Sequence, residues 1–145
     1  MQESVLIVGA GSGLSASLAR LCKSKGMKVV LAARDIEKLK KFKKEINADT
    51  IKCDATNIKS VSNLFKKTDQ IIDTPNLVIY NPSIRLGGSI TDIDPKKAHE
   101  AVNISCYGGF LVAQQAAKRM LKKKRGSIFF TGATASVKGF SNSSV

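Results

Sequence analysis

The chain has 145 residues, with 24 Lys and Arg against 11 Asp and Glu, for a formal net charge of +13. That length fits one domain, residues 1–145, and a hydrophobic fraction of 43% is enough for a packed core, which excludes a disordered chain. No apolar run reaches the length of a membrane span, and the start lacks the basic, apolar and small-residue pattern of a signal peptide. A cytoplasmic protein is the default expectation. The three cysteines, Cys22, Cys53 and Cys106, are widely spaced and odd in number. They suggest neither a disulfide framework nor a zinc site, and each is expected to be a small buried hydrophobe.

Taken in chain order, the first strand signal is Val5-Leu6-Ile7-Val8, which runs directly into Gly9-Ala10-Gly11-Ser12-Gly13-Leu14-Ser15. Leu14, Leu18, Leu21 and Cys22 then fall at helical spacing, and Gly26 after Lys25 marks the helix end. Val29 to Ala33 is a second strand signal. Leu39, Phe42 and Ile46 form a second helical stripe, and Thr50-Ile51-Lys52-Cys53 a third strand. Ile58, Val61 and Phe65 make a third stripe, before a fourth strand, Leu77-Val78-Ile79-Tyr80.

The longest helix is expected from about Pro95 to Lys122, with Asp94 as cap and Pro95 in the first turn. Its expected buried face is small: Ala98, Ala101, Val102, Ser105, Gly108, Gly109, Val112 and Ala116. Such a face allows close approach to the sheet or to a second subunit, so a homo-oligomer through residues 95–122 is an expectation. Ser127-Ile128-Phe129-Phe130 is the fifth strand. Continuous apolar strands suit parallel pairing with both faces covered. The β-α-β-α-β-α-β-α-β order therefore predicts an α/β fold, a Rossmann-type doubly wound parallel sheet of about five strands with flanking helices.

The glycine cluster sits between a strand and a helix. Glycines there let the backbone turn sharply and approach a ligand, and the free N–H groups and helix dipole favour a pyrophosphate. The pattern is G-x-x-x-G-x-G, with Gly9 and Gly13 in place and Ser15 where the last glycine would stand. In this the chain resembles the short-chain dehydrogenase/reductase family, and the resemblance runs the length of the chain.

The resemblance implies a dinucleotide cofactor held by Gly9, Gly11, Ser12, Gly13 and Leu14. NAD enzymes place an acid near the Ala33 position; here it is absent, and Arg34 can pair with a 2′-phosphate. NADP(H) is therefore the preferred cofactor and NAD(H) the other possibility, with Asp35 read as the cap of the next helix. Asp54, with Ala55 after it, matches the family's adenine-binding aspartate, or it caps the next helix. Asn81 matches the first residue of the family motif after the fourth strand, where Pro82 and Ser83 replace the usual final pair. It is otherwise a simple turn residue. Asn103 resembles the asparagine that holds a water in the family's proton relay, a supporting role in catalysis.

In the same alignment Ala133 stands at the catalytic serine position, and Thr131 and Thr134 are nearby hydroxyls out of register. The family's Tyr-x-x-x-Lys is expected just beyond Val145, so hydride transfer would lack its proton donor within this sequence and the chain is expected to be inactive. The fifth strand would then lie at an open sheet edge. His99, the single histidine, belongs to no metal or nucleophile pattern.

Three functions are compatible with these features. The first is the NADP(H)-binding domain of an oxidoreductase acting on a carbonyl or alcohol. The second is a non-catalytic nucleotide-binding or regulatory module. The third is a basic nucleic-acid-binding protein. Against the third, Lys38, Lys40, Lys41, Lys43, Lys44, Lys122, Lys123, Lys124 and Arg125 read as solvated helix faces without interleaved aromatics. A basic field also suits an anionic cofactor. A membrane partner is not expected.

Overall fold

A computed structural model of the chain describes residues 2–143. Five strands, β1 (Ser4–Val8), β2 (Lys28–Ala33), β3 (Asp49–Lys52), β4 (Leu77–Tyr80) and β5 (Ser127–Phe130), form one sheet in the order β3-β2-β1-β4-β5. Every pairing is parallel. Around it lie α1 (Leu14–Ser24), α2 (Lys40–Ile46), α3 (Ile58–Ile72), α4 (Pro95–Val102) and α5 (Gly109–Lys123). The expected Rossmann-type doubly wound sheet is what the chain forms.

The apolar runs are continuous because the sheet has two cores. Successive strand residues point to opposite faces. Val5 and Ile7 of β1 pack with Val29, Leu31, Ala19 and Cys22 on the face covered by α1 and α2. Leu6 and Val8 pack with Val30, Phe65, Val112 and Ala116 on the face covered by α3 and α5. Phe65 and Leu64 are fully buried, and truncating such a residue to Ala costs roughly 2–5 kcal/mol.

The helix ends carry their sequence signals. Asp94 accepts from the Lys96 amide at 2.8 Å with Pro95 in the first turn. Gly26, at φ +79°, ends α1. Asp35 accepts from the Glu37 amide at 3.0 Å, but the cap position of the 3₁₀ turn Glu37–Leu39 before α2 is Ile36, with no side-chain cap. Asp54 does not cap α3. The cap is Asn57, whose side chain accepts from the Ser60 amide at 2.9 Å. Asp54 instead bonds the amide and hydroxyl of Thr56.

Four other expectations are corrected. In α1 the buried residues are Ser15, Ala16, Ala19 and Cys22, while Leu14 and Leu21 are exposed. Small residues set the closest packing against the sheet, and the leucines lie outside it. Ile58, in the first turn of α3, is exposed; Val61, Leu64, Phe65 and Thr68 form that helix's buried face. Cys106 is exposed, whereas Cys22 and Cys53 are buried.

The fourth correction concerns the long helix. It passes through a π-helical turn, Asn103–Gly108, between α4 and α5. The wider turn shifts the angular register of α5 relative to α4. Val102 and Ser105 are therefore exposed, and Ile104, Leu111 and Met120 join Ala101, Gly108, Gly109, Val112 and Ala116 in the buried face.

Two partly buried ties connect helices on the α3/α5 face. Arg119 Nε lies 2.9 Å from both Asp69 oxygens, and its guanidinium stacks 5.0 Å from the Phe65 ring centroid. No helix among the described residues is long and apolar enough to cross a membrane.

Candidate functional site

The strand order reverses between β1 and β4. The chain first moves outward through β2 and β3, then returns to the other side of β1. In such a sheet the crevice at the carboxyl ends of the two central strands is where ligands bind. Here β1 ends in the glycine loop and β4 ends in Asn81.

A cleft of about 570 Å³ opens at that point. Its walls come from four strand exits: the glycine loop after β1, Arg34 after β2, Asp54 and Ala55 after β3, and Asn81 after β4. Ser12, Pro82 and Ser83 also line it. Gly13, Leu14 and Asn103 do not. Gly13 and Leu14 open α1, and Asn103 opens the π turn beside Ile104, which is a lining residue. The sequence reading missed Lys38, Leu39 and Thr56 on the walls. Lys38 carries a signal, as a second cation four residues after Arg34, although a run of lysines also reads as a solvated helix face.

The loop's glycines have different reasons to be there. Gly9 has φ +80°, and a Cβ on it would stand 2.5 Å from the Pro82 nitrogen. It allows the β1 and β4 exits to touch. Added Cβ atoms at Gly11 and Gly13 would meet nothing within 4 Å. Of these two, Gly11 lines the cleft and leaves room there. No side chain caps the α1 N-terminus, with Gly13 in the cap position. Uncapped N–H groups at the positive end of a helix are a ready anion site.

Ser15, in the last glycine's position, is buried, and its hydroxyl donates to the Gly9 carbonyl at 3.0 Å. The Asn81 side-chain amide donates to Ser15 Oγ at 2.6 Å. Close packing at this turn therefore survives the replacement.

Charge at the cleft is uneven. Arg34 is exposed and makes no ion pair among the described residues, while its neighbour Asp35 is engaged by the Glu37 amide and by Lys38 Nζ at 3.7 Å. Beneath the floor, Tyr80 is buried and donates to the Ile104 carbonyl. Burial first, then the proximity of Cys53 and Asp54, push its hydroxyl pKa up to about 12. Burial likewise raises the Cys53 thiol. Neither group is poised for proton transfer near neutrality.

After β5 the serine position holds Ala133. Thr131 is committed, its amide and hydroxyl both directed to the Tyr80 carbonyl at 3.1 and 3.3 Å. In the 3₁₀ turn Thr134–Ser136 that follows, the Ser136 hydroxyl donates to the Ala133 carbonyl at 2.6 Å. His99 is exposed, and no metal-ligating cluster occurs among the described residues.

A parallel sheet with a glycine-lined crevice at its reversal point defines a Rossmann-type domain. The chain belongs to the short chain dehydrogenase family, whose sequence profile matches residues 3–145. It is 31% identical over 138 residues to an uncharacterized oxidoreductase of Staphylococcus aureus (strain USA300), covering 93% of this chain and 58% of that protein. It is 23% identical to the bovine 3-oxoacyl-[acyl-carrier-protein] reductase, covering 100% of this chain and 62% of the relative. The chain thus spans about 60% of the length of these relatives. Among solved structures, actinorhodin polyketide ketoreductase with NADPH superimposes with a TM-score of 0.93 at 24% identity, over 98% of this chain and 57% of that one. A metagenomic short-chain oxidoreductase in complex with NADP gives 0.89 at 23% identity, over 97% and 66%. These last two likenesses establish the shared fold.

Proposed function

We propose that residues 1–145 form the NADP(H)-binding part of an oxidoreductase that acts on a carbonyl or alcohol. The observation that carries this reading is the cleft at the sheet's reversal point, walled by Gly11, Arg34, Asp54 and Asn81 together. Its volume and open glycine side fit an extended dinucleotide. The matching ketoreductase and metagenomic oxidoreductase structures, which hold NADPH and NADP, support the same assignment.

In this reading the uncapped α1 N-terminus, with Gly11, Ser12 and Gly13, takes the pyrophosphate. Arg34, free of ion pairs among the described residues, takes a 2′-phosphate with Lys38 beside it. Asp54 and Ala55 flank the adenine end, and Asn81, Pro82 and Ser83 line the inner wall. Leu14 and Asn103 lie outside the cleft lining, at its margin. When bound, the dinucleotide supplies a hydride donor or acceptor. The chain's own residues bind and orient it. No Tyr-x-x-x-Lys occurs in residues 1–145, and Ala133 lacks a hydroxyl, so the proton donor for that chemistry is not among them.

The test is titration with NADPH and NADH by ligand fluorescence, on wild type and Arg34→Ala. NADPH binds more tightly in the wild type, and the substitution removes most of that preference. Equal affinities in the wild type, or a preference unchanged by Arg34→Ala, would refute the cofactor assignment.

A non-catalytic nucleotide-binding module is the second reading, favoured by one observation: Ala133 at the serine position, with Thr131 already committed to Tyr80. Restoring the hydroxyl by Ala133→Ser in the longest available gene product separates the two. A gain in carbonyl reduction favours the enzyme, and unchanged null activity with intact NADPH binding favours the module.

A further inference from the structure

Ser15 is the polar residue that the glycine pattern does not call for, and it is 1% exposed. Its hydroxyl has one proton. That proton goes to the Gly9 carbonyl, which can only accept. Ser15 Oγ must then act as an acceptor toward Asn81, so the Asn81 side chain has to present its NH₂ and not its oxygen. The hydroxyl thereby dictates which way round the Asn81 carboxamide sits. The oxygen and second N–H of Asn81 are left for the cleft it lines.

The surrounding backbone is already pinned. The amides of Gly9 and Ala10 both donate to the Ala32 carbonyl at 2.9 Å, and the Asn81 amide donates to the Val8 carbonyl at 2.9 Å. None of these bonds engages the Gly9 carbonyl or the Asn81 side chain. Ser15 ties both, across 66 residues of sequence.

We infer that Ser15 is a positioning residue, whose hydroxyl holds the Gly9 turn and the Asn81 carboxamide in the binding arrangement before a dinucleotide arrives. This rests on the cleft being a dinucleotide site. A glycine at this position would leave the carboxamide free to turn, and binding would have to order it.

The experiment measures NADPH affinity for wild type, Ser15→Ala and Ser15→Gly, each also combined with Asn81→Ala. Amide hydrogen exchange over residues 9–13 is monitored without ligand. Losing the hydroxyl weakens binding roughly three- to tenfold, the range for one hydrogen bond. That loss shrinks in the Asn81→Ala background, because the carboxamide it served is gone. Exchange in the loop becomes faster in both Ser15 variants. Equal losses with and without Asn81 would reduce Ser15 to a packing role and overturn the inference, as would unchanged exchange. A wild type that binds neither NADPH nor NADH would overturn the reading of the cleft, while the exchange result still decides whether Ser15 holds the loop.

Discussion

The Tyr80 hydroxyl donates to the Ile104 carbonyl, joining the end of β4 to the π-helical turn between α4 and α5. A carbonyl has two lone pairs, so Ile104 can accept the phenol in addition to a helical partner. Gly108 makes the approach possible. A Cβ there would land on the Tyr80 hydroxyl and stand 3.1 Å from the Ala55 carbonyl. Ala55 and Ile104 both line the cleft, so this contact sets its floor.

Substitution should separate the two parts of this contact. Tyr80→Phe removes one buried hydrogen bond and lowers stability by about 1 kcal/mol. Gly108→Ala overpacks a filled site and costs about 1–3 kcal/mol. The double variant should lose less than the sum, because the phenol oxygen that the alanine meets is gone. Denaturant unfolding of the four proteins measures this, and strict additivity would contradict the geometry.

Alkaline titration gives an independent check on Tyr80. Its folded pKa is pushed up to about 12 by burial, above the ordinary tyrosine value of 10.0. The native state therefore holds this proton more tightly than the unfolded chain does. The stability this contributes is fully present below pH 10 and is lost as pH rises through about 12. Tyrosinate absorbance should show a late-titrating phase that Tyr80→Phe abolishes. A folded protein with no such phase would show that the hydroxyl is not buried as described.

The loop glycines should divide by function. Gly9→Ala forces a side chain into φ +80° against Pro82, and destabilises the fold by about 2 kcal/mol or more. Gly11→Ala meets nothing in the protein, so its melting temperature should stay near wild type while NADPH binding weakens. If Gly11→Ala binds NADPH normally, the phosphates do not pass that side of the loop.

The two sheet edges differ. β3 carries Asp49 and Lys52, charges that discourage further pairing. β5 is Ser-Ile-Phe-Phe, with Phe129 and Phe130 exposed. Phe129→Lys should reduce concentration-dependent association of the 145-residue chain in light scattering, with little change in melting temperature. Association unaffected by the lysine would place the sticky surface elsewhere, with the exposed Tyr107 and Phe110 next to test.

Much of this protein was legible from sequence because the relevant forces are local. Five apolar runs of strand length, separated by helical periods, leave few alternatives to a parallel two-faced sheet. Gly26, Asp94 and Pro95 act through backbone dihedrals and nearby amides, so their roles could be read in place. The glycine loop, Arg34, Asp54 and Asn81 come directly after strand ends, and in a parallel sheet strand ends share one edge.

Tertiary structure alone decided the rest. Periodicity identified α1 as amphipathic but chose the leucine side; the sheet accepted Ala16 and Ala19, because the depth of a helix on a sheet depends on both surfaces. The π turn displaced Val102 and Ser105 from the buried face, and its contact with Tyr80 joins residues 24 apart. Asn57, and not Asp54, caps α3, since the chain's path sets which oxygen meets the free amides. Ser15 reads as a missing glycine in one dimension. It becomes a tie between Gly9 and Asn81 only once folding brings the ends of β1 and β4 together, because hydrogen bonds depend on distance in space and not on separation along the chain.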